Sequence, residues 1–154
     1  MQLQIVQFIT LSLILLVTGV FFGPWLALHR TLDVFTKAEF LKITKAMAIN
    51  LGRPMQILMP LCLLFMLITV ILFPYKNHIS FYLFIASFFC FIITLIVTLT
   101  TELPIVNKIK LWTNDTAPEN WEEIRNRWVS FHALRVFPAL FGFVLYLLGI
   151  FCQF

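Results

Sequence analysis

The stretch WEEIRNRWVSFHALR, residues 121–135, decides how the chain is read. As a helix it places Trp121, Arg125, Trp128, His132 and Arg135 at spacings of four, three, four and three. Residues so spaced lie above one another on one face. The same face runs without a slip through Ala139, Gly142, Tyr146 and Gly149. One helix therefore starts in charged sequence and ends in hydrocarbon-like sequence. Filling a core requires no arginine or histidine on the inward line, so this line is the candidate functional face.

From Glu119 to Cys152 such a helix is about 50 Å long at 1.5 Å per residue, against a bilayer core of about 30 Å. Its first turns must stand in the interface or in water. Thr116-Ala117-Pro118-Glu119 reads as a capping box that starts it, with Pro118 in the first turn. Glu123 and Arg127, four apart, can pair on its outer surface. Pro138 removes the hydrogen bond to the Leu134 carbonyl and predicts a kink.

Composition points to the same class. The chain is 61% hydrophobic and 12% charged, where soluble domains are roughly 45–50% apolar and about 25% charged. Mean hydropathy is +0.96. Residues 1–154 are expected to form one all-α membrane domain. Its spans are expected at about 5–23, 54–73, 79–101 and 132–152, with polar segments at 29–53 and 102–131. Short connections favour an antiparallel, polytopic four-helix bundle with a long, kinked fourth helix.

The polar segments follow from local signals. Thr36-Lys37-Ala38-Glu39 is a capping box, and Phe40, Ile43, Met47 and Leu51 form an apolar stripe. A short amphipathic helix at the membrane surface is expected there, either a lid over a site or a connector held down by lipid. Gly52 reads as its C-terminal cap. Gly23-Pro24 is expected to interrupt or bend the first span, and Pro60 to kink the second. Leu103-Pro104 is expected to break the third. Thr94, Thr98 and Thr101 share a face of that span, and Glu102 extends it. Threonines in such helices commonly bond back to their own carbonyls, whereas an ionisable group at the edge of an apolar span usually has a partner.

Of the eleven Lys and Arg residues, all but Lys76 lie in or beside the two long polar segments. The positive-inside rule puts those segments in the cytoplasm and both termini outside. The net charge of +4 is thus a matter of membrane orientation and implies no nucleic-acid partner; membrane lipid is the expected one. Cys62, Cys90 and Cys152 all sit in apolar runs with no Cys-x-x-Cys pair, and read as small buried hydrophobes.

Two segments together resemble the anthrone-oxygenase-like family of small four-helix membrane proteins. One is Thr101-Glu102-Leu103-Pro104-Ile105-Val106-Asn107. The other is Trp121-x3-Arg125-x2-Trp128-x3-His132-x2-Arg135. The resemblance covers the whole chain in span layout, and its specific part is residues 101–135. It implies an oxygenase that converts an anthrone to an anthraquinone with O₂ and needs no metal or flavin, located in a bacterial inner membrane. The positions it carries over are Glu102, Asn107, Trp121, Arg125, Trp128, His132 and Arg135.

The residue types suit that chemistry. A lipophilic, planar substrate with a weakly acidic C–H needs a base, and imidazole is the side chain that ordinarily exchanges protons near neutrality. In this reading His132 is the base, Glu102 orients it, and Arg135 or Arg125 stabilises an enolate oxygen. Trp121, Trp128 and Asn107 bind the substrate, and no metal takes part. Three alternatives stand beside it. The charged group could only tie two helices together in a non-catalytic protein that binds a lipid or protein partner. A haem or metal could be held by His29 and His132. A transporter would need a charge at mid-span, which the sequence lacks.

Overall fold

A computed structural model describes residues 1–28 and 31–153. Among them are six α-helices: α1 (Gln2–Leu28), α2 (Lys37–Asn50), α3 (Gly52–Leu72), α4 (Ile79–Val97), α5 (Leu103–Leu111) and α6 (Trp121–Phe151). A π-helical turn, Thr98–Glu102, joins α4 to α5. Four stretches are long and apolar enough to cross a membrane: Gln2–Leu28, Gly52–Leu72, Ile79–Leu111 and Trp121–Phe151. The chain is an integral membrane protein with an all-α, four-helix architecture.

Around the bundle α1 packs on α3, α3 on α4, α4 on α6, and α6 back on α1. α6 runs antiparallel to α1 and α4: Phe21 meets His132 while Gln7 meets Gln153, and Gly142 and Gly149 meet Phe91 and Phe84. The core is built from one face of each span: Ile14, Val17 and Phe21, then Cys62 and Met66, then Phe84 and Phe91, then Val136, Ala139 and Tyr146. Large apolar side chains such as Leu15, Leu64, Ile93 and Phe141 point outward. That is an anomaly in water and ordinary in hydrocarbon. Cys62 is buried inside, as its apolar run implies, whereas Cys152 is exposed at the C-terminal end.

The small residues of α6 serve close packing. A Cβ on Gly149 would stand 2.6 Å from the Phe84 ring, and one on Gly142 would stand 2.9 Å from Phe91. The Ser87 hydroxyl then reaches the Gly142 carbonyl at 2.6 Å. The absence of side chains here brings α4 and α6 together, as small residues do in membrane bundles.

A second apolar cluster caps the end of the bundle that carries the polar segments: Leu32, Phe40, Leu41, Ile109 and Trp128. The Thr36 capping box forms as read, with Glu39 N–H bonded to Thr36 Oγ1 and the Thr36 N–H to Glu39. It starts α2, whose Phe40 lies against Trp121 and Trp128 with ring centroids 5.8 and 6.0 Å apart. Lys45 Nζ donates to the Trp112 carbonyl at 2.6 Å, tying α2 to the end of α5. The amphipathic helix therefore lies on protein, over the candidate face of α6.

Several local readings need correction. Gly52 is not a cap: α2 ends on Leu51 in ordinary right-handed backbone, and Gly52 is the first residue of α3. Of the two outcomes expected at Gly23-Pro24, interruption is excluded, because α1 continues through Pro24 to Leu28. Leu103-Pro104 does not end the third span, because the π turn absorbs the proline. Leu103 N–H bonds five residues back to Thr98, and Pro104, which has no N–H to place, sits in the first turn of α5. Helix thus runs from Ile79 to Leu111. Thr116 caps no helix; its hydroxyl takes the Thr113 N–H at 2.8 Å, and α6 starts only at Trp121. Glu123 and Arg127 form no ion pair among the described residues, where both ion pairs involve Glu102.

Candidate functional site

Glu102 reaches the interior because of the π turn. An extra residue in one turn rotates everything after it, so Glu102 follows the buried face of Thr94 instead of drifting outward. The threonines before it hold their own helix. Thr98, Thr100 and Thr101 donate to the carbonyls of Thr94, Ile96 and Val97 at 2.8, 2.8 and 2.6 Å. At 1.5 Å per residue Glu102 stands about 35 Å from Ile79, and His132 about 29 Å from Phe151. Both therefore lie at the rim of the hydrocarbon layer.

Glu102, His132 and Arg135 meet. Arg135 Nη2 lies 2.7 Å from Glu102 Oε1 and 2.8 Å from His132 Nδ1. His132 Nδ1 is itself 3.2 Å from Glu102 Oε1. All three side chains are nearly enclosed, Glu102 most of all. The guanidinium of Arg135 also sits 4.7 Å from the centroid of the Phe21 ring. Pairing and hydrogen bonding offset the cost of burying this charge.

The ring's protonation pattern follows from its neighbours. His132 Nε2 is 3.1 Å from the Phe21 carbonyl oxygen. A carbonyl only accepts, so Nε2 carries a hydrogen and donates it. Nδ1 is then the basic atom. In the neutral ring it accepts from Arg135 Nη2. In the protonated ring it donates to Glu102 Oε1. Both states of one nitrogen have a partner already in place.

The group is not fully satisfied. Glu102 Oε2, Arg135 Nε and Trp128 Nε1 are buried without a hydrogen-bond partner among the described residues. Such atoms are few in folded proteins and each calls for a reason. Beside Trp128 and His132 lies a cavity of about 10 Å³, lined also by Trp25, Leu28 and Met47, room for about one water molecule. Trp128 lies 6.0 Å from the His132 ring, and Trp25 packs edge-on to Phe137.

The remaining candidates are dispersed. Arg125 is buried, but lies 5.2 Å over the Trp121 ring and donates to Asn126 Oδ1 at 3.2 Å. It is two turns above His132. Trp121 and Trp128 serve as the surface on which Phe40 of α2 rests. Asn107 is exposed and bonded to Lys110 at 3.3 Å. The helical α5 turns this position outward, so Asn107, expected to bind substrate, does not join Glu102, His132 and Arg135. His29 lies outside the described residues. Among those described, no group of three or more His, Cys, Asp or Glu side chains could hold a metal ion.

Two participants went unread in the sequence. The Phe21 carbonyl is a backbone group with no signature of its own, although Pro24 in the same turn marks a place where the helix ladder is loosened. Phe40 was legible as apolar stripe but not as the cover over Trp128.

No curated protein and no solved structure matches the chain. The sequence model of one family does, a family described as anthrone oxygenase, over residues 47–145. The match spans more than half of the chain and contains Glu102, His132 and Arg135 together, and the chain belongs to that family.

Proposed function

We propose that the protein is an oxygenase of lipophilic aromatic molecules, with His132 as general base. One observation carries the reading: Nδ1 of a buried histidine has a donor for its neutral state and a carboxylate for its protonated state. Such a nitrogen has a partner in both charge states, with Arg135 Nη2 turning away from Nδ1 as the proton arrives. In the scheme, Arg135 turns from Nδ1 to the oxygen of a bound anthrone, and the freed Nδ1 removes a C–H proton. The carbanion, delocalised as an enolate, is stabilised by Arg135, and Glu102 stabilises the imidazolium. O₂ is the oxidant. It adds to the carbanion to give a peroxide anion, which takes the proton back from His132 to become a hydroperoxide; loss of that carbon's remaining hydrogen with the terminal OH, as water, leaves the quinone carbonyl. One anthrone and one O₂ give one anthraquinone and one water. The basic residues of the loop-bearing end favour a cytoplasmic location for that end.

A second reading is favoured by the size of the cavity. Small-molecule sites are roughly 300–1,000 Å³, far above the space beside His132. In that reading the charged group ties α6 to α1 and the π turn and catalyses nothing. The oxygenase reading instead requires α2 to lift from Trp128 and admit substrate from the membrane, the lid role for that helix. O₂ consumption by purified protein with an anthrone tests the choice. The oxygenase reading expects uptake above the buffer rate, lost in His132→Ala and strongly reduced in Glu102→Gln. Equal uptake by all three proteins would leave the clamp.

A further inference from the structure

On the opposite side of the π turn from Glu102, the chain forms a second and larger hollow. A groove of about 170 Å³ runs between the π turn, α5 and α6, lined by Thr100, Thr101, Ile105, Lys108, Arg127 and Phe131. We infer that it seats an anionic phospholipid, with the lipid phosphate between Lys108 and Arg127.

Charge complementarity carries the inference first. Lys108 and Arg127 come from different helices and converge on one hollow with no carboxylate in its lining. Both ion pairs among the described residues involve Glu102, so no described carboxylate neutralises either cation. The Arg127 guanidinium is held over the Phe131 ring at 5.5 Å, which orients it without using up its N–H groups. Thr100 and Thr101 donate their hydroxyl hydrogens to helix carbonyls. The groove's free donors are therefore the two basic side chains, a set matched to a phosphate diester.

Depth carries it second. At 1.5 Å per residue, Thr100 and Phe131 stand about 30 Å from the far ends of their helices, and Arg127 and Lys108 about 36 and 44 Å. A bilayer has a core of about 30 Å and is about 40–45 Å thick with its headgroups. The apolar floor of the groove therefore meets acyl chains, and its basic rim meets phosphates. A free anion would find the same two cations but no use for Ile105 and Phe131.

The test compares lipids on the intact protein. Detergent-purified protein is titrated with dioleoyl phosphatidylglycerol, dioleoyl phosphatidylcholine or inorganic phosphate, and bound lipid is counted by native mass spectrometry. Phosphatidylglycerol is expected to bind about tenfold more tightly than phosphatidylcholine, and millimolar phosphate to leave it in place. Lys108→Gln/Arg127→Gln is expected to lose that preference, and each single variant to lose part of it. The charge-matched variant Lys37→Gln/Lys42→Gln, outside the groove, is expected to keep it. Equal binding of the two lipids to wild type would overturn the site. So would equal losses in the two double variants, which would mean uniform surface attraction. Displacement by phosphate would overturn the lipid assignment. None of these readouts depends on oxygenase activity.

Discussion

The bundle buries two polar networks, one toward each end, and they are built on different terms. Toward the termini, Thr10 Oγ1 lies 2.8 Å from the Val6 carbonyl and 3.1 Å from Thr69 Oγ1, and Thr69 Oγ1 lies 3.0 Å from the Tyr146 hydroxyl. Every member is neutral, and each hydroxyl has a partner. Beyond it, Gln7 and Gln153 exchange amide bonds at 2.9 and 3.3 Å. Toward the loops, Glu102 and Arg135 carry charge beside His132, and Glu102 Oε2 and Arg135 Nε have no hydrogen-bond partner among the described residues. A satisfied neutral network needs nothing further and fixes how helices meet. An unsatisfied charged one is retained at a cost, and such sites in membrane spans are functional hypotheses by default. The difference lies in unpaired atoms rather than in burial, since both networks are enclosed.

The sharpest way to break that contrast is to remove one ring from each network. His132→Gln is expected to lower anthrone-dependent O₂ uptake by about 10²–10⁴-fold, the usual share of a general base. Tyr146→Phe is expected to leave uptake unchanged. Comparable losses in both would make the two networks alike, and both structural.

Stability separates them next. Glu102→Ala strands Arg135 in an enclosed site, and breaking such a pair costs about 3–5 kcal/mol. A large drop in detergent melting temperature is expected, with a smaller one in Glu102→Gln. Removing one hydroxyl of the neutral network is milder. Tyr146→Phe is expected to cost about 0.6 kcal/mol, the mean for a hydrogen bond inside a membrane bundle. Between these lies Gly149→Ala, which pushes a methyl against the buried Phe84 ring. Overpacking of that kind costs about 1–3 kcal/mol, and a thermal melt of the three variants gives the order.

Much of the charged network was legible in sequence, and almost none of the neutral one. Trp128, His132 and Arg135 fall on the helical period, and Glu102 stands out as the acid closing an apolar span. Periodicity puts four residues on two helices, and the antiparallel connection brings the helices together. The π turn was not legible, because a one-residue change of register leaves no mark except Pro104, which reads equally as a break. That one misreading also misplaced Asn107. Thr10 and Thr69 are single hydroxyls in apolar runs, with no periodic mate to announce them. Tyr146 was on the right face, but the residues it meets, Thr10, Thr69 and Phe84, come from three other helices.

The smallest expected effect concerns the cover that only the charged network has. α2 rests on Trp128 through Phe40, and its start depends on the Thr36–Glu39 capping box. The Thr36 hydroxyl and N–H, both bonded to Glu39, hold its carboxyl below the usual carboxylate range. A depressed carboxylate contributes stability that is present above its unfolded pKa and is lost as pH falls through the lower, folded value. Acidification below about pH 4.5 should therefore loosen the first turn of α2 before it touches the neutral network. Hydrogen exchange of amides 38–41, followed from neutral pH into that range and corrected for the intrinsic rate, is expected to lose protection in wild type. In Glu39→Gln it is expected to start lower and change little. Unchanged protection in wild type would mean that the lid is held by Phe40 and Lys45 alone, and that its cap has no part in covering the site.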